Sequence, residues 1–163
     1  MVILGVDPGT ATTGYGVLRK IGDRLEVVVY GPIVTSPKQP AHERLASIHG
    51  QICEIIEKHR PEVLAIERLF FAQNETTAIA VGRASGVILL AAAQRGLQVE
   101  EYTPLQVKQA VVGYGAADKK QVQYMVQRIL GLSEPPKPDD VADALAVAIC
   151  HAHSCRLRSA GGE

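Results

Sequence analysis

The sequence lacks the features that define several protein classes. Its 163 residues include no tryptophan and only three cysteines. Three scattered cysteines do not suit a disulfide framework, so Cys53, Cys150 and Cys155 are expected to be reduced thiols. The apolar runs fall short of the ~20 residues that a membrane span needs. The start, MVILGVDPG, has neither the basic region nor the cleavage site of a signal peptide. These absences predict a cytoplasmic protein.

An excess of charge of either sign is also lacking. Lysine and arginine together number 17, and so do aspartate and glutamate. The net charge gives no evidence for a polyanionic partner, although a local basic patch remains compatible with one. The length and the apolar fraction of 47% are ordinary for one globular domain. We expect this domain over residues 1–155, followed by a flexible tail over 156–163.

The pattern of apolar residues predicts an α/β fold, with a five-stranded mixed sheet flanked by helices. The first three strands should form an antiparallel meander, and the later ones should join by right-handed parallel crossovers. The predicted strands are 2–6, 14–18, 24–34, 63–66 and 97–102. The predicted helices are about 41–59, 75–93, 104–111, 119–130 and 139–153.

Two carboxylates directly follow apolar strands. Asp7 comes after VILGV, and Glu67 comes after VLAI. Ligand sites of α/β sheets gather at the carboxyl ends of strands, so the pair indicates a site. Each acid alone is also explained as a turn residue, because turns favour acidic side chains that bond the nearby backbone.

The last predicted helix adds Asp139, Asp140 and Asp143 among small apolar residues. Either of the first two lies on the same side as Asp143, because helical neighbours are three and four residues apart. Capping explains one of the first two, and the helix dipole would suit Asp143. A buried carboxylate without a partner or a cation is costly, however, which favours a ligand role for Asp143.

Carboxylates that converge from these segments would repel one another unless divalent cations bound them. All-oxygen ligands suit Mg²⁺ or Mn²⁺, and two such ions ~4 Å apart stabilise both oxygens of a phosphoryl displacement. No Walker-A loop, G-x-S-x-G elbow or zinc-finger cysteine pair competes with this set. His151, His153 and Cys155 are too few for a tetrahedral zinc site, and we interpret them as a solvated tail.

Aromatic and basic residues near these acids suggest contacts with nucleic acid. Phe70 and Phe71 closely follow Glu67. One ring projecting near the acids would stack on an unpaired base, while the alternative is that both are buried under a loop or at a dimer contact. The candidate phosphate contacts are Arg68, Arg83, Lys108, Lys119 and Lys120. The last two open a predicted helix, where anions are favoured, although any single lysine is usually a solvated surface charge.

In order and spacing, these segments resemble the RuvC family of Holliday junction resolvases. The resemblance runs from Met1 to about His153. The matching stretches are LGVDPGTATTGYGV (4–17), AIERLFFAQN (65–74), GRASGVILLAAA (82–93), YTPLQVKQAVVGYGAADKKQVQYMV (102–126) and DDVADALAVAICHAH (139–153).

The resemblance implies a ribonuclease H-like fold and a homodimer that nicks two opposed strands of a four-way DNA junction. It also implies two Mg²⁺ ions per site, products with 5′-phosphate and 3′-hydroxyl ends, and a branch-migration helicase as partner. By motif, the catalytic metal ligands are Asp7, Glu67, Asp140 and Asp143. Asp140 is chosen over Asp139 because the family's D-x-x-D falls on residues 140–143.

The family's junction-contacting aromatic carries over to Phe70, its basic residues to Lys108 and Lys119, and its dimer helix to residues 75–93. The adjacent Phe71 departs from the motif, which needs a single aromatic, so which ring stacks stays open.

Three other interpretations of the sequence fit it less well. Asp-x-Gly-Thr-x-x-Thr-Gly also resembles the phosphate loop of actin-like ATPases, but 163 residues leave no room for their second lobe. A non-catalytic junction-binding module would have lost acidic ligands, and all are present. A ribonuclease H-like nuclease for another branched or hybrid substrate is the serious alternative.

Overall fold

The structure, a computed structural model, describes residues 1–68 and 75–160, with side chains described to Cys155. The strands are β1 (Val2–Asp7), β2 (Thr12–Ile21), β3 (Arg24–Val34), β4 (Val63–Glu67) and β5 (Gln98–Tyr102). The helices are α1 (Ala41–His59), α2 (Glu75–Gln94), α3 (Pro104–Val112), α4 (Lys119–Leu130) and α5 (Asp139–Ala160). Each predicted element is found, and the bounds of β3, α1 and α4 agree with the sequence analysis.

The five strands form one mixed sheet in the order β3-β2-β1-β4-β5. β1, β2 and β3 pair antiparallel, whereas β4 pairs parallel with both β1 and β5. The predicted meander and parallel crossovers are therefore confirmed. β1 lies at the centre of the sheet, which explains why its residues 3–6 are fully or almost fully buried.

Helices cover both faces of the sheet. On one face, Leu4, Val6 and Ile66 pack with residues of α1 and α2. On the other face, Ile3, Val63 and Ala65 pack with residues of α3, α4 and α5. Side chains alternate between the faces along each strand. The residue that ends β1 and the residue that ends β4 therefore point to the face covered by α3–α5.

Three boundaries differ from the sequence analysis by more than one residue. β2 begins at Thr12, inside the polar segment predicted as a loop, because Thr12 and Thr13 pair with β3. Thr13 is fully buried, and its hydroxyl donates to the Gly9 carbonyl oxygen at 2.7 Å. β2 also continues to Ile21, and α5 continues to Ala160. Motion of the tail 156–163 stays a prediction.

His151 does not belong to a solvated tail, so that interpretation was wrong. The ring is 3% exposed, and its Nδ1 lies 2.7 Å from the Tyr102 hydroxyl. His153 Nδ1 lies 3.0 Å from the Ala110 carbonyl oxygen, and Cys155 Sγ lies 3.2 Å from His151 Nε2. Because α5 continues past these residues, they pack against β5 and α3. Cys53, Cys150 and Cys155 are free thiols, as expected.

The helix α2 also corrects the sequence analysis. Its length and its hydropathy of 1.6 reach those of a membrane-spanning helix, although one such helix is weak evidence for a membrane. Its six isoleucine, valine and leucine residues, together with six alanines, account for this value. Only 28% of its most apolar window is buried in the protomer, and Ile79 and Leu90 are exposed. The helix therefore presents an uncovered apolar surface.

Candidate active site

Strand register places Asp7 and Glu67 side by side. Val6 of β1 pairs with Ile66 of β4, so the next residue of each strand reaches the same edge of the sheet. Because side chains alternate, both carboxylates project to the face that α5 covers. The sequence analysis expected a site at the carboxyl ends of these strands, and the structure brings the two acids together there.

Three glycines let α5 lie directly on β1 and β2. A Cβ on Gly14 would overlap the backbone of Asp140, and one on Gly5 would overlap the Ala144 carbonyl oxygen. A Cβ on Gly16 would overlap the side chain of Leu145. In the sheet, Gly14 lies opposite Asp7 and Gly16 lies opposite Gly5. These missing side chains bring the first turns of α5, with Asp140 and Asp143, to the strand ends.

This glycine patch was missed in the sequence analysis, although a signal was present. Glycine weakens strand interiors, and its presence there often marks close approach of another backbone. Gly14 and Gly16 are two residues apart in β2, so both face the same side of the sheet.

The carboxylates repel one another, as the sequence analysis predicted for a converged cluster. Burial, followed by the charges of Asp143, Asp140 and Glu67, raises the pKa of Asp7 to about 8. Burial and the charge of Asp143 also raise the pKa of Glu67. Burial raises the pKa of Asp143 despite the opposing effect of Lys119. The site therefore holds more negative charge than its own protein environment stabilises.

Lys119 offsets part of this charge. Its Nζ lies 3.2 Å from Asp139 Oδ2 and 3.5 Å from Asp143 Oδ2. The charge of Lys108 likewise lowers the pKa of Glu67, which opposes the effect of burial. Both lysines thus lie close to the carboxylates, so a DNA phosphate bound near these acids would also contact the lysines.

Asp139 differs from its neighbours. It is exposed, and the Lys119 ammonium holds the pKa of its carboxyl below the usual range. Its Oδ1 also accepts a hydrogen bond from Gln123 Nε2 at 2.9 Å. Asp140 instead lines the larger cleft. This placement favours Asp140 as a site residue.

Glu67 lines three cavities, two of which also contain a carboxylate of α5. The larger, a cleft of about 890 Å³, is lined by Asp7, the loop 8–12, Asp140, Arg68 and the start of α2. The smaller, of about 310 Å³, is lined by Asp143, Lys108, Lys119 and apolar residues of α3 and α4. The candidate carboxylates thus line a continuous acidic region, flanked by lysines on one side.

The donor chemistry fits a hard divalent cation. Carboxylate oxygens are the ligands that Mg²⁺ and Mn²⁺ prefer, and a cation would relieve the repulsion that raises these pKa values. Within residues 1–68 and 75–155, no three acidic, histidine or cysteine side chains are arranged so that they could hold one metal ion. Lys119 is instead paired with Asp143 in this structure.

The other predicted DNA contacts lie on three different parts of the chain. Arg68 lines the cleft and pairs through Nε with Glu101 Oε2 at 3.4 Å. Lys120 is exposed in the first turn of α4, and Arg83 is exposed on α2. Phe70 and Phe71 lie outside the described residues.

Comparisons with known proteins give a consistent result. The family model "Crossover junction endodeoxyribonuclease RuvC" matches residues 3–151. The crossover junction endodeoxyribonuclease RuvC of Pelotomaculum thermopropionicum is 61% identical over 153 residues, covering 94% of this chain and 93% of its own. The RuvC of Halothermothrix orenii is 56% identical, covering 99% and 98%.

Solved structures agree with the sequences. Thermus thermophilus RuvC superposes with a TM-score of 0.90 at 42% identity, covering 97% of each chain. The T. thermophilus RuvC in complex with Holliday junction substrate superposes with a TM-score of 0.88 at 40% identity, covering 96% of each chain. The yeast mitochondrial resolvase Ydc2, at 15% identity and a TM-score of 0.69, shares the fold. The predicted ribonuclease H-like class is confirmed.

Proposed function

The chain belongs to the RuvC family of crossover junction endodeoxyribonucleases, and on this premise we propose how its own residues resolve four-way DNA junctions. The observation that carries the proposal is the convergence of the ends of β1, β4 and the start of α5 on one acidic cleft. The function is cleavage of Holliday junctions in recombination and repair. The catalytic residues are proposed to be Asp7, Glu67, Asp140 and Asp143.

These carboxylates are proposed to hold two Mg²⁺ ions, for which Mn²⁺ substitutes. When bound, Mg²⁺ supplies positive charge for the attacking water and for the leaving oxygen of an in-line displacement. To hold a metal ion the carboxylates would have to be deprotonated, so Asp7, whose pKa is raised, would have to give up its proton. Lys108 and Lys119 are proposed to turn from the acids to phosphates of the bound strand.

The reaction is phosphodiester hydrolysis. Water forms a new bond to phosphorus while the bond to the 3′-oxygen breaks, and that oxygen leaves with a proton. The products are therefore proposed to carry 5′-phosphate and 3′-hydroxyl ends. Phe70 is proposed to stack on a base near the crossover, with Phe71 as the alternative ring, a contact worth ~1–3 kcal/mol. Arg68, Arg83 and Lys120 are proposed as further phosphate contacts.

The enzyme is proposed to act as a homodimer through α2. One site per chain nicks one strand, so two opposed nicks require two copies, related by a two-fold axis. The uncovered apolar surface of α2, with Ile79 at 55% and Leu90 at 50% exposure, suits a self-complementary contact. A cytoplasmic location and a branch-migration helicase partner are proposed from the family alone.

The deciding experiment compares the cleavage of three nucleic-acid substrates that have the same ends. Four-way junction, 5′-flap and RNA–DNA hybrid are each incubated with the protein and Mg²⁺, and nicks are mapped on every strand. We expect paired, symmetric nicks on the junction and little cleavage of the others. The variant Asp7→Asn should bind the junction without cutting it. Preferred cleavage of the hybrid would support a different ribonuclease H-like nuclease.

A further inference from the structure

A hydrogen bond joins the two walls of the larger cleft. Thr10 lies in the loop 8–12 that follows Asp7, and its hydroxyl donates to the Ala80 carbonyl oxygen at 3.2 Å. Ala80 is near the start of α2, and both residues line the cleft. The loop on the Asp7 side is thus fastened to the opposite wall.

The same loop is held from behind by two further bonds. The Thr35 hydroxyl donates to the Thr10 carbonyl oxygen at 2.6 Å, and it accepts from Arg44 Nε at 2.8 Å. Thr35 is 5% exposed and follows β3, while Arg44 lies in the first turn of α1. Neither Thr35 nor Arg44 lines the cleft. A continuous series therefore runs from α1 through the loop to α2.

The base of the loop is also rigid. Thr13 is fully buried and bonds Gly9 in both directions, donating to its carbonyl oxygen at 2.7 Å and accepting from its N–H at 3.4 Å. A Cβ on Gly9 would overlap the Thr12 carbonyl oxygen, so the turn is closed tightly. These contacts fix Gly9, which lies between Asp7 and Thr10 in the chain.

We propose that Thr10 is a positioning residue for DNA cleavage, because its hydroxyl sets the spacing between the Asp7 side of the cleft and α2. Thr35 and Arg44 support it by fixing the Thr10 backbone. The inference rests on the proposed function, since the spacing matters when a DNA strand lies in the cleft. A misplacement of ~1 Å far from the reacting atoms can cost ~100-fold in rate.

The test separates positioning from folding and from DNA binding. Thr10→Val keeps the shape and removes the donor, whereas Thr10→Ser keeps the donor. Single-turnover cleavage of a four-way junction, junction Kd and Tm are measured for each. We expect Thr10→Val to lose about 10- to 100-fold in cleavage rate. Its Kd and Tm should stay near those of the parent, and Thr10→Ser should restore most of the rate.

Arg44→Met tests the series without touching the cleft. It should reproduce part of the loss, and the double variant with Thr10→Val should be no slower than Thr10→Val alone, because both act through one loop. Ser47→Ala, which removes a hydroxyl that accepts from Gln51 on α1, is the matched control and should cut normally.

Several outcomes would overturn the inference while leaving the proposed function intact. These are parental cleavage by Thr10→Val, equal loss in Thr10→Val and Thr10→Ser, or losses that multiply independently in the double variant. A rate loss that matches a fall in Tm or in junction affinity would also overturn it. Failure of the unmodified protein to cut any junction would instead reject the proposed function.

Discussion

Asp7 shows how a partly buried acid makes the stability of the fold depend on pH. Its pKa is raised to about 8 in the folded protein, against an ordinary value of 3.8. A raised acid pKa means that the folded state binds the proton more tightly than the unfolded state. Without metal, stability is therefore lost progressively as pH rises from about 4 to 8, and the loss levels off above that range.

The first prediction follows from this sign. In EDTA, Tm should fall between pH 5 and pH 8, and Asp7→Asn should flatten the curve because it carries no charge to desolvate. Added Mg²⁺ should restore Tm most strongly at high pH, where the proton is already released. Thermal melts of both proteins with and without Mg²⁺ give the comparison. Glu54→Gln, at an exposed position on α1, is the control and should follow the parent. A pH profile for Asp7→Asn that matches the parent would contradict the assignment.

Lys108 and Lys119 allow a second prediction at the residue scale. Each phosphate that a cation neutralises contributes ~0.9 to the slope of log K against log salt on duplex DNA. Lys108→Ala and Lys119→Ala should lower both junction affinity and this slope, as measured by titrations from low to moderate salt. Lys58→Ala, at the last turn of α1, should leave the slope unchanged. Parental slopes in both test variants would place the DNA path elsewhere.

At the scale of elements, the contact of α5 with β2 decides whether the site assembles. Gly14→Ala adds a methyl group that overlaps the Asp140 backbone, so helix or strand must shift. We expect loss of cleavage and a destabilisation of about 1–3 kcal/mol, typical of overpacking. Denaturant melts and junction cleavage measure the two effects. Gly50→Ala is the control, because its Cβ meets open space on α1. That helical substitution should stabilise by about 0.5–1 kcal/mol.

Local pattern predicted the elements well, and it failed where distant contacts decide. Apolar spacing alone located α1 and α4, whose ends coincide with the predicted ones. The start of β2 looked like a loop because Thr12 and Thr13 are polar, yet burial and a bond to Gly9 make it strand. The sequence analysis ended α5 near His153, too early. The later part of the helix is held by contacts with α3 and β5, which join residues far apart in the chain and which apolar spacing does not reveal.

At the scale of the molecule, α2 carries the proposed dimer contact. Gly86 is exposed, and a Cβ there meets open space in the protomer. Gly86→Leu should therefore leave the protomer folded. It should weaken dimerisation about 10-fold or more, because a loss of ~1.4 kcal/mol from overpacking at the interface raises the dimer Kd tenfold. Sedimentation of both proteins over a concentration series measures the change. Gly50→Leu on α1 is the matched control. Unchanged dimerisation in Gly86→Leu, or a parent that stays at 17.5 kDa, would remove α2 from the interface.

The composition of the site was predictable, but its electrostatics were not. Residue type and strand-end position indicated Asp7 and Glu67, and spacing within one helix indicated Asp143. That Lys119 pairs with Asp143 depends on how α4 packs against α5, which no local pattern encodes. Likewise, the family motif alone selected Asp140 over Asp139. The structure favours the same choice, because Asp139 is exposed whereas Asp140 lines the cleft.

The packing of α5 on β1 and β2 also sets when the enzyme becomes active during its own synthesis. Asp7 is at the end of β1, whereas Asp140 and Asp143 are on α5, which is synthesised long after β1. The face of β1 and β2 that bears Ile3 and Leu18 is buried by that helix, so it stays uncovered until the C-terminal segment emerges. Until α5 has been synthesised, a nascent chain therefore lacks Asp140, Asp143 and the helix that covers this sheet face, so the proposed site cannot assemble.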